Sequence, residues 1–353
     1  MLRTLIKPFY LGVRQLALRA IVRSGPRPPL PEVVHSLLVI TDRRLGDVCV
    51  AIPVLQCLRT AYPNANLGIV TPGPLQPLVQ WACAPSHLFA DAGAGAIGNT
   101  RWDAVIDLTT DYHLKPAQRA AATGAPVRIG FDFKGRGRYF NLPLEWTATE
   151  PMQDTYARVL KPLSVEFRPL SLPAEFPARP VPEWTPQLVT IHPGAHHDTQ
   201  RWPAEYFGDL IRRIHGGSEA CLVLGAENER ELVERVVKLS GSGAVAAITG
   251  DVMQLAATIR ASEILICNNS GPLHLASLLG VPSLSFMGPT VRARWTPLGS
   301  NAVVLRQDRL ACIGCNLGYC RIRTHACMRE IRPDEAFSAY FRFRARMLLE
   351  SAR

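Results

Sequence analysis

Asp47 stands where a carboxylate could take a proton from a substrate. It ends the segment RRLGD, residues 43–47, between an apolar run, SLLVI, and a predicted helix. Gly46 permits a tight bend, and an aspartate at a helix start can cap the N–H groups of the first turn. A carboxylate at the mouth of a cleft can instead act as a general base. The local sequence leaves both roles open.

The segment HPGAHHDTQRWPAEYF, residues 192–207, has the composition of an anion-binding loop. A strand ends in Pro193-Gly194, small and polar residues follow, and the Trp-Pro pair then starts a helix. Backbone N–H groups in such a loop can hold a phosphate group. Because small residues are common in loops of this type, the motif alone is weak evidence.

The turn NNSGPLH, residues 268–274, predicts a second anion site at the start of a helix. Ser270 is a favourable N-cap residue. The N–H groups of Gly271 and Leu273, with the helix dipole, suit a diphosphate. His274 would then point from the first turn toward the same site. The alternative for His274 is a buried histidine that serves only the fold.

Four cysteines near the C-terminus follow the pattern C-x2-C-x4-C-x6-C. Four sulfurs at short spacing can hold a structural zinc ion or another metal, although this is not a common zinc-ribbon pattern. Reduced thiols in a packed loop and a disulfide are the alternatives. The residues are Cys312, Cys315, Cys320 and Cys327.

The elements that must position these residues follow an alternating pattern. Runs of β-branched and aliphatic residues alternate with predicted helices, which predicts an α/β fold with parallel, doubly wound sheets. The pattern occurs twice, so a cleft is expected at the carboxyl ends of both sheets, where ligands bind in such folds. The predicted strands are 36–40, 66–72, 101–110 and 127–132, then 188–194, 220–225, 245–248, 263–268 and 283–288.

Prolines punctuate the chain and predict its division into segments. The richest stretch separates the two α/β patterns, and we interpret it as an interdomain linker. The last segment is a helix that could pack back on the first domain. The predicted segments are an N-terminal helix and linker at 1–32, a first Rossmann-like domain at 33–167, the interdomain linker at 168–187, a second Rossmann-like domain at 188–331 and the C-terminal helix at 332–353.

Composition excludes several classes of protein. Hydrophobic residues make up 47% of the 353 residues and charged residues 19%, which is incompatible with general disorder. No apolar run reaches the roughly 18–20 residues of a membrane span, and no secretory signal is recognisable. The net charge is +10, with +5 in residues 1–35 and +5 in residues 306–353. A nearly neutral body argues against a nucleic-acid partner.

The first 24 residues predict a basic amphipathic helix that lies on an anionic membrane surface. Arg342, Arg344 and Arg346, beside Phe341 and Phe343, would add to that contact. A helix packed on the protein's own body, or a frayed tail, is the alternative. The predicted location is peripheral, on the cytoplasmic face of the inner membrane. The apolar stripe comprises Leu2, Leu5, Ile6, Phe9, Val13, Leu16, Ala20 and Ile21.

The motifs taken in order resemble glycosyltransferase family 9, the family of the lipopolysaccharide heptosyltransferases, over about residues 36–335. The resemblance rests on LLVITDRRLGDVCVAIP, VTIHPGAHHDTQRWPAEYF, LGAENERE, LICNNSGPLHLASLLGVPSLSFMGPT and ARWTP. It implies a GT-B fold, two Rossmann-like domains facing each other across a cleft, with the acceptor side N-terminal. It also implies inverting, metal-independent transfer from ADP-heptose to the lipid A–core acceptor of the lipopolysaccharide inner core, with no required cofactor.

The resemblance assigns a role to each motif. Asp47 corresponds to the family's proposed general base, and Glu227 of the GAE segment to a ribose ligand. Residues by the donor phosphates and sugar would be Gly194, Ala195, His196, Gln200, Asn269, Ser270, Gly271, Leu273 and His274.

Departures from the family pattern leave the donor open. Gln200 stands where the family usually has lysine, which removes a charge-assisted contact. Asn269 replaces the usual aspartate and removes an acceptor for sugar hydroxyls. A different nucleotide-sugar donor in cell-envelope glycan synthesis, or a catalytically degenerate glycan-binding member, are therefore alternative functions.

Overall fold

The computed structural model describes residues 2–21, 29, 31–90, 97–168, 170–180, 188–216, 220–241, 243–297, 299 and 301–351. The chain divides into two compact units, Met1–Pro173 and Ala174–Arg353. This division falls within the proline-rich segment 168–187, of which residues 181–187 lie outside the described ranges.

The first unit contains a six-stranded sheet in the order β3-β2-β1-β4-β5-β6, and every pair is parallel. Its strands are β1 Ser36–Ile40, β2 Asn66–Val70, β3 His87–Phe89, β4 Ala104–Asp107, β5 Val127–Asp132 and β6 Leu142–Glu145. Its helices include α1 Leu2–Ile21, α2 Leu45–Ala61, α3 Gln76–Cys83, α4 Lys115–Ala122 and α5 Met152–Ala157.

The second unit repeats this plan with a parallel sheet in the order β12-β11-β10-β7-β8-β9. Its strands are β7 Leu188–His192, β8 Ala220–Ala226, β9 Ala244–Thr249, β10 Ile264–Asn268, β11 Ser283–Phe286 and β12 Ala302–Leu305. Its helices include α6 Ala204–His215, α7 Arg230–Ser240, α8 Val252–Arg260, α9 Gly271–Leu279, α10 Arg292–Trp295, α11 Ala326–Arg329 and α12 Pro333–Ser351.

Both sheets have the strand order 3-2-1-4-5-6 of a Rossmann fold, so the predicted α/β fold class is confirmed. In each sheet the first and fourth strands are neighbours, β1 with β4 and β7 with β10. The strand order reverses between these two strands. The loops that leave their carboxyl ends therefore run to opposite faces of the sheet. Ligands bind at this switch point in open α/β sheets.

Apolar burial explains why these segments form the centre of each unit. All five residues of β1 are buried, and α2 is buried along most of its length, as expected for elements enclosed on both sides. In the second unit Trp202 stacks on Phe286 with ring centroids 4.0 Å apart, and Phe207 packs edge-on against both. Each unit therefore has its own core.

The C-terminal helix α12 packs on α6 of the second unit. Phe343 is buried there, and Arg344 forms an ion pair with Glu263 at 3.0 Å. The expectation that Phe343 and Arg344 face a membrane is therefore wrong, because both side chains contact other residues of the second unit. Phe341 and Arg342 are exposed on the opposite side of the helix.

The N-terminal helix α1 packs on the first unit with one face and exposes another face to solvent. Leu11 is buried, and Arg14 donates a hydrogen bond to the carbonyl of Lys134 at 2.9 Å. Val13 and Leu16, which belong to the predicted apolar stripe, are instead 50% and 66% exposed. The side chains of residues 2–9, 19 and 21, which include the rest of the stripe except Ala20, lie outside the described set.

None of the helices in the described ranges combines the length and hydropathy that a membrane span requires.

Candidate active site

Asp47 is buried in the first turn of α2, with 5% of its surface exposed. Arg44 occupies the N-cap position, so Asp47 is the third helical residue and the N-cap interpretation is wrong. The hydroxyl of Tyr156 donates to Asp47 Oδ1 at 3.3 Å. The carboxylate thus lies just beyond the carboxyl end of β1, where the helix dipole favours its negative charge.

A buried ion pair at the end of β4 lies on the other side of this switch point. Arg136 Nη2 lies 2.5 Å from Asp107 Oδ2, and both side chains are completely buried. Thr109 donates to Asp107 through its hydroxyl at 2.6 Å and through its N–H at 2.9 Å. Arg136 also donates to the carbonyls of Thr109 and Asp111 at 2.8 and 2.9 Å. The pair therefore fixes the loop that follows β4.

Sequence analysis did not identify this pair. An aspartate inside the apolar run AVIDL was the available signal, because a buried carboxylate requires a partner. The loop also affects Asp42, just after β1. Burial raises the pKa of Asp42, and the charges of Asp111 and Asp107 raise it further, against a hydrogen bond from the Arg43 N–H.

In the second unit, Asn268 joins the two predicted anion-binding turns. Its side chain is completely buried at the end of β10. The amide Nδ2 donates to the carbonyls of Pro193 and Gly194 at 2.8 and 3.3 Å, and Oδ1 accepts from the N–H of Trp202 at 2.9 Å. One asparagine therefore sets the path of the loop after β7 from its beginning to its end.

Gly194 is required by the close approach of Glu229. A Cβ atom at position 194 would lie 1.8 Å from Glu229 Oε1 and 2.9 Å from the His192 ring. Glu229 Oε2 lies 3.2 Å from His192 Nε2 and accepts from the N–H of Ala226 at 3.1 Å. Burial raises the pKa of Glu229, but the hydrogen bond and charge of His192 outweigh it and hold the pKa below its ordinary value.

Glu227, the residue that resemblance assigned to ribose binding, has a different environment. Its side chain is 73% exposed, and Arg230 holds both carboxylate oxygens at 2.7 and 2.8 Å. Glu229, two residues later, is the acid that faces the loop at Gly194. Spacing alone could not separate the two, because the choice depends on the 3-10 turn Glu227–Glu229.

Gln200 supports the local structure of the loop. Its Oε1 accepts from the N–H of His197 at 3.3 Å, and its Nε2 donates to the hydroxyl of Thr290 at 3.2 Å. It therefore joins the loop after β7 to the turn after β11.

Arg201 is a cationic side chain beside this loop that sequence analysis did not single out. Its guanidinium donates to the carbonyl of Ala195 at 3.1 and 3.2 Å and pairs with Asp198 at 2.7 Å. His196 is exposed, with its ring centroid 4.4 Å from that of His197. The arginine of the sequence RWP was the feature from which a cationic side chain at this loop could have been predicted.

Ser270 occupies the predicted N-cap position of α9, but its side chain does not cap the helix. Its hydroxyl donates to the carbonyl of Asn268 at 3.3 Å. The N–H of Leu273 donates to the Ser270 carbonyl at 3.1 Å, so one of the two N–H groups predicted to face a diphosphate is already engaged. The N–H of Gly271, the first helical residue, is the other.

Asn269 and His274 both contact Trp295. Asn269 Nδ2 donates to the Trp295 carbonyl at 3.0 Å, and the His274 ring lies edge-on to the indole at 5.3 Å. Burial lowers the pKa of His274 to about 4, so its imidazole is neutral at pH 7. A neutral ring can donate a hydrogen bond to a diphosphate but adds no positive charge.

The four clustered cysteines line one cavity of about 40 Å³, together with His325. All four are free thiols, so the disulfide alternative is wrong. Burial and the neighbouring thiols raise the pKa of Cys327 to about 11. Over the described part of the chain, no three His, Cys, Asp or Glu side chains are arranged to hold a metal ion.

Two Rossmann-like units with their polar residues at the switch points define a protein of the GT-B class. The chain belongs to glycosyltransferase family 9 (heptosyltransferase), whose family model matches residues 94–320.

Individual relatives are distant in sequence. Lipooligosaccharide heptosyltransferase 2 of Campylobacter jejuni is 23% identical over 155 residues, which are 42% of this chain and 49% of that protein. The match thus spans about half the length of this relative and of its counterpart in a second C. jejuni strain. Among solved structures, E. coli ADP-heptose LPS heptosyltransferase II has a TM-score of 0.72 at 18% identity, covering 90% of this chain and 100% of that one. E. coli heptosyltransferase WaaC with ADP has a TM-score of 0.65 at 16% identity, covering 76% and 92%.

Proposed function

We propose that this protein is an inverting glycosyltransferase that transfers heptose from ADP-heptose to the inner core of lipopolysaccharide. Family membership supports the proposal, as do the fold relatives, one of which was solved with ADP. The observation that carries it is Asp47, a buried carboxylate at the switch point of the first sheet. The acceptor, a lipid A–core molecule, would bind the first unit and the donor the second.

In the proposed reaction Asp47 takes the proton of an acceptor hydroxyl as that oxygen attacks C1 of the heptose. The new C1–O bond forms opposite the diphosphate while the C1–O bond to the diphosphate breaks. The configuration at C1 inverts and ADP departs, through an oxocarbenium-like transition state. The N-terminus of α9 and the N–H groups of the loop 194–196 would stabilise the departing diphosphate without a metal ion.

Glu229 is our proposed ribose ligand in place of Glu227. Its depressed pKa keeps it ionised at pH 7, and an ionised carboxylate accepts hydrogen bonds from hydroxyl groups. His192 and the N–H of Ala226 already orient it beside Gly194. Glu227, paired with Arg230 and largely exposed, lacks this orientation toward the loop.

A different nucleotide-sugar donor is the second candidate, and Gln200 and Asn269 favour it. Both carry less charge than the usual family residues at these positions, and both amides are engaged with Thr290 and Trp295. Thermal stabilisation by ADP-heptose, GDP-sugars and UDP-sugars would separate the candidates, because only a bound ligand raises the melting temperature.

Transfer itself is tested with purified protein, ADP-heptose and a heptose-deficient lipid A–core acceptor, scored by the mass of the product. The proposal predicts addition of one heptose. Transfer from another nucleotide sugar would establish the second candidate. Binding of ADP-heptose with no transfer to any core acceptor would contradict the enzyme proposal and indicate a glycan-binding member.

We further propose that α1 holds the protein on the cytoplasmic face of the inner membrane. Support comes from the exposed apolar face of α1, which includes Tyr10, Val13 and Leu16, and from the basic charge of the N-terminal segment. Each basic residue near an anionic surface contributes about 1 kcal/mol. The attachment would be reversible and sensitive to salt.

A structural metal ion, such as zinc, in the cysteine segment is a narrower proposal. Between residues 306 and 327 no residue is buried, so apolar packing contributes little to the order of this segment. Four thiols that line one small cavity could supply the missing constraint by binding a metal ion. Elemental analysis should find about one metal ion per chain, lost in Cys315→Ser. Metal-free protein of unchanged stability would contradict the proposal.

A further inference from the structure

Tyr156 connects the fold of the first unit to Asp47. It lies in α5, which packs against α2, and none of its side chain is exposed. Its hydroxyl donates to Oδ1 of Asp47 at 3.3 Å. A tyrosine hydroxyl in the interior is normally paired, and here its partner is the acidic residue at the switch point.

The contact concerns one specific oxygen of the carboxylate. Rotation about two side-chain bonds can point an aspartate carboxylate in different directions. Its orientation matters because a base must lie within hydrogen-bond reach of the proton that it takes. A donor at Oδ1 restrains the plane of the carboxylate and therefore the direction of Oδ2. The bond also favours the ionised form, which is the form that accepts a proton.

We propose that Tyr156 is a positioning residue, which holds Asp47 through Oδ1 so that Oδ2 receives the proton of the acceptor hydroxyl. This inference rests on the proposed role of Asp47 as base.

Other groups near Asp47 differ in what they can provide. Cys49, on the same helix, is buried, and its pKa is raised by burial and by the charge of Asp47, so it stays a neutral thiol. Arg43 and Arg44, which precede α2, are exposed. Tyr156 supplies a buried hydroxyl donor from a second element.

The test compares two tyrosine-to-phenylalanine variants in the first unit. Tyr156→Phe removes the hydroxyl that contacts Asp47. Tyr62→Phe is the matched control, because the Tyr62 hydroxyl donates to the Leu163 carbonyl at 3.2 Å and not to Asp47. Both variants are assayed for heptose transfer across a range of pH, for donor KM and for thermal stability.

We expect kcat to fall about tenfold in Tyr156→Phe while the donor KM stays unchanged, since only the orientation of the base is lost. The acid limb of the rate profile should move to higher pH, because the ionised carboxylate has lost a donor. Tyr62→Phe should keep the kcat and pH profile of the unmodified protein. A merely structural role for Tyr156 would lower stability without moving the acid limb.

A double-mutant cycle with Asp47→Asn keeps the inference testable if Tyr156→Phe is less stable. Loss of the Tyr156 hydroxyl should leave the residual rate of Asp47→Asn unchanged. An equal loss in both backgrounds, or an unmodified pH profile in Tyr156→Phe, would overturn the positioning role alone. Full activity in Asp47→Asn would instead overturn the base assignment, so the two failures are distinguishable.

Discussion

At the scale of single residues, the loop after β7 depends on the absence of one side chain. Gly194 leaves the space that the Glu229 carboxylate occupies, with His192 on its other side. Any residue with a Cβ atom must move Glu229 or the loop itself. The same glycine serves both packing and the proposed donor contacts.

Gly194→Ala should therefore lower stability by about 1–3 kcal/mol and weaken binding of ADP. Gly73→Ala is the control, because a Cβ atom at position 73 meets no neighbour within 4 Å. Chemical denaturation and calorimetric titration with ADP measure the two effects. Unchanged ADP affinity in a clearly destabilised Gly194→Ala would show that this loop does not contact the donor.

His274 predicts a dependence of stability on pH. Its pKa is about 4 in the folded protein, below the ordinary value near 6.5, because burial disfavours the charged ring. The unfolded chain therefore binds the proton first as the pH falls. The stability contributed by neutral His274 is complete above pH 6.5 and is lost progressively between pH 6.5 and 4.

Over this window the free energy of unfolding should fall more steeply in the unmodified protein than in His274→Gln. The difference in slope should approach about 1.4 kcal/mol per pH unit. Chemical denaturation at several pH values measures it, and other titrating groups cancel between the two proteins. Parallel curves would show that the imidazole is solvated and available for charge.

At the scale of elements, α1 presents one face to its own unit and another to solvent. The packed face of α1 lies against Gly135. A Cβ atom at position 135 would lie 3.0 Å from the Leu18 side chain and 3.2 Å from the backbone of Gln15. Deleting residues 1–24 would therefore expose this packed surface as well as remove the face that we propose contacts the membrane. Substitution on the exposed face alone tests the membrane proposal without that complication.

We expect the double variant Val13→Ser/Leu16→Ser to bind anionic vesicles about tenfold more weakly at low salt, with unchanged stability. Val245→Ser is the control, because Val245 is an exposed apolar residue of the second unit. Co-sedimentation with phosphatidylglycerol vesicles measures the binding. If the unmodified protein ignores such vesicles at low salt, α1 serves only to pack on the first unit.

At the scale of the whole molecule, strongly apolar strands could be predicted and weak edge strands could not. The strand at 127–132 and the helix at 252–260 match the structure, because burial on both sides or a clear helical period marks them. Three strands were missed: His87–Phe89, Leu142–Glu145 and Ala302–Leu305. They are short and only partly buried, so their composition resembles that of loops.

The turns of the candidate site could be recognised because each is continuous in sequence. What could not be predicted depends on contacts between distant residues. Asp107 and Arg136 meet across 29 positions, and Asn268 holds the loop after β7 from more than 70 positions away. The pairing of Glu229 with His192, rather than of Glu227, likewise depends on a contact with a distant residue.

The central claim is that Asp47 is the base of a glycosyl transfer, and its replacement tests that claim most directly. Asp47→Ala should lower the rate of heptose transfer by about 10²- to 10⁴-fold while ADP affinity stays unchanged. Asp154→Ala, which removes an exposed aspartate in the first turn of α5, is the control and should remain active. A transfer rate in Asp47→Ala equal to that of the unmodified protein would contradict the account.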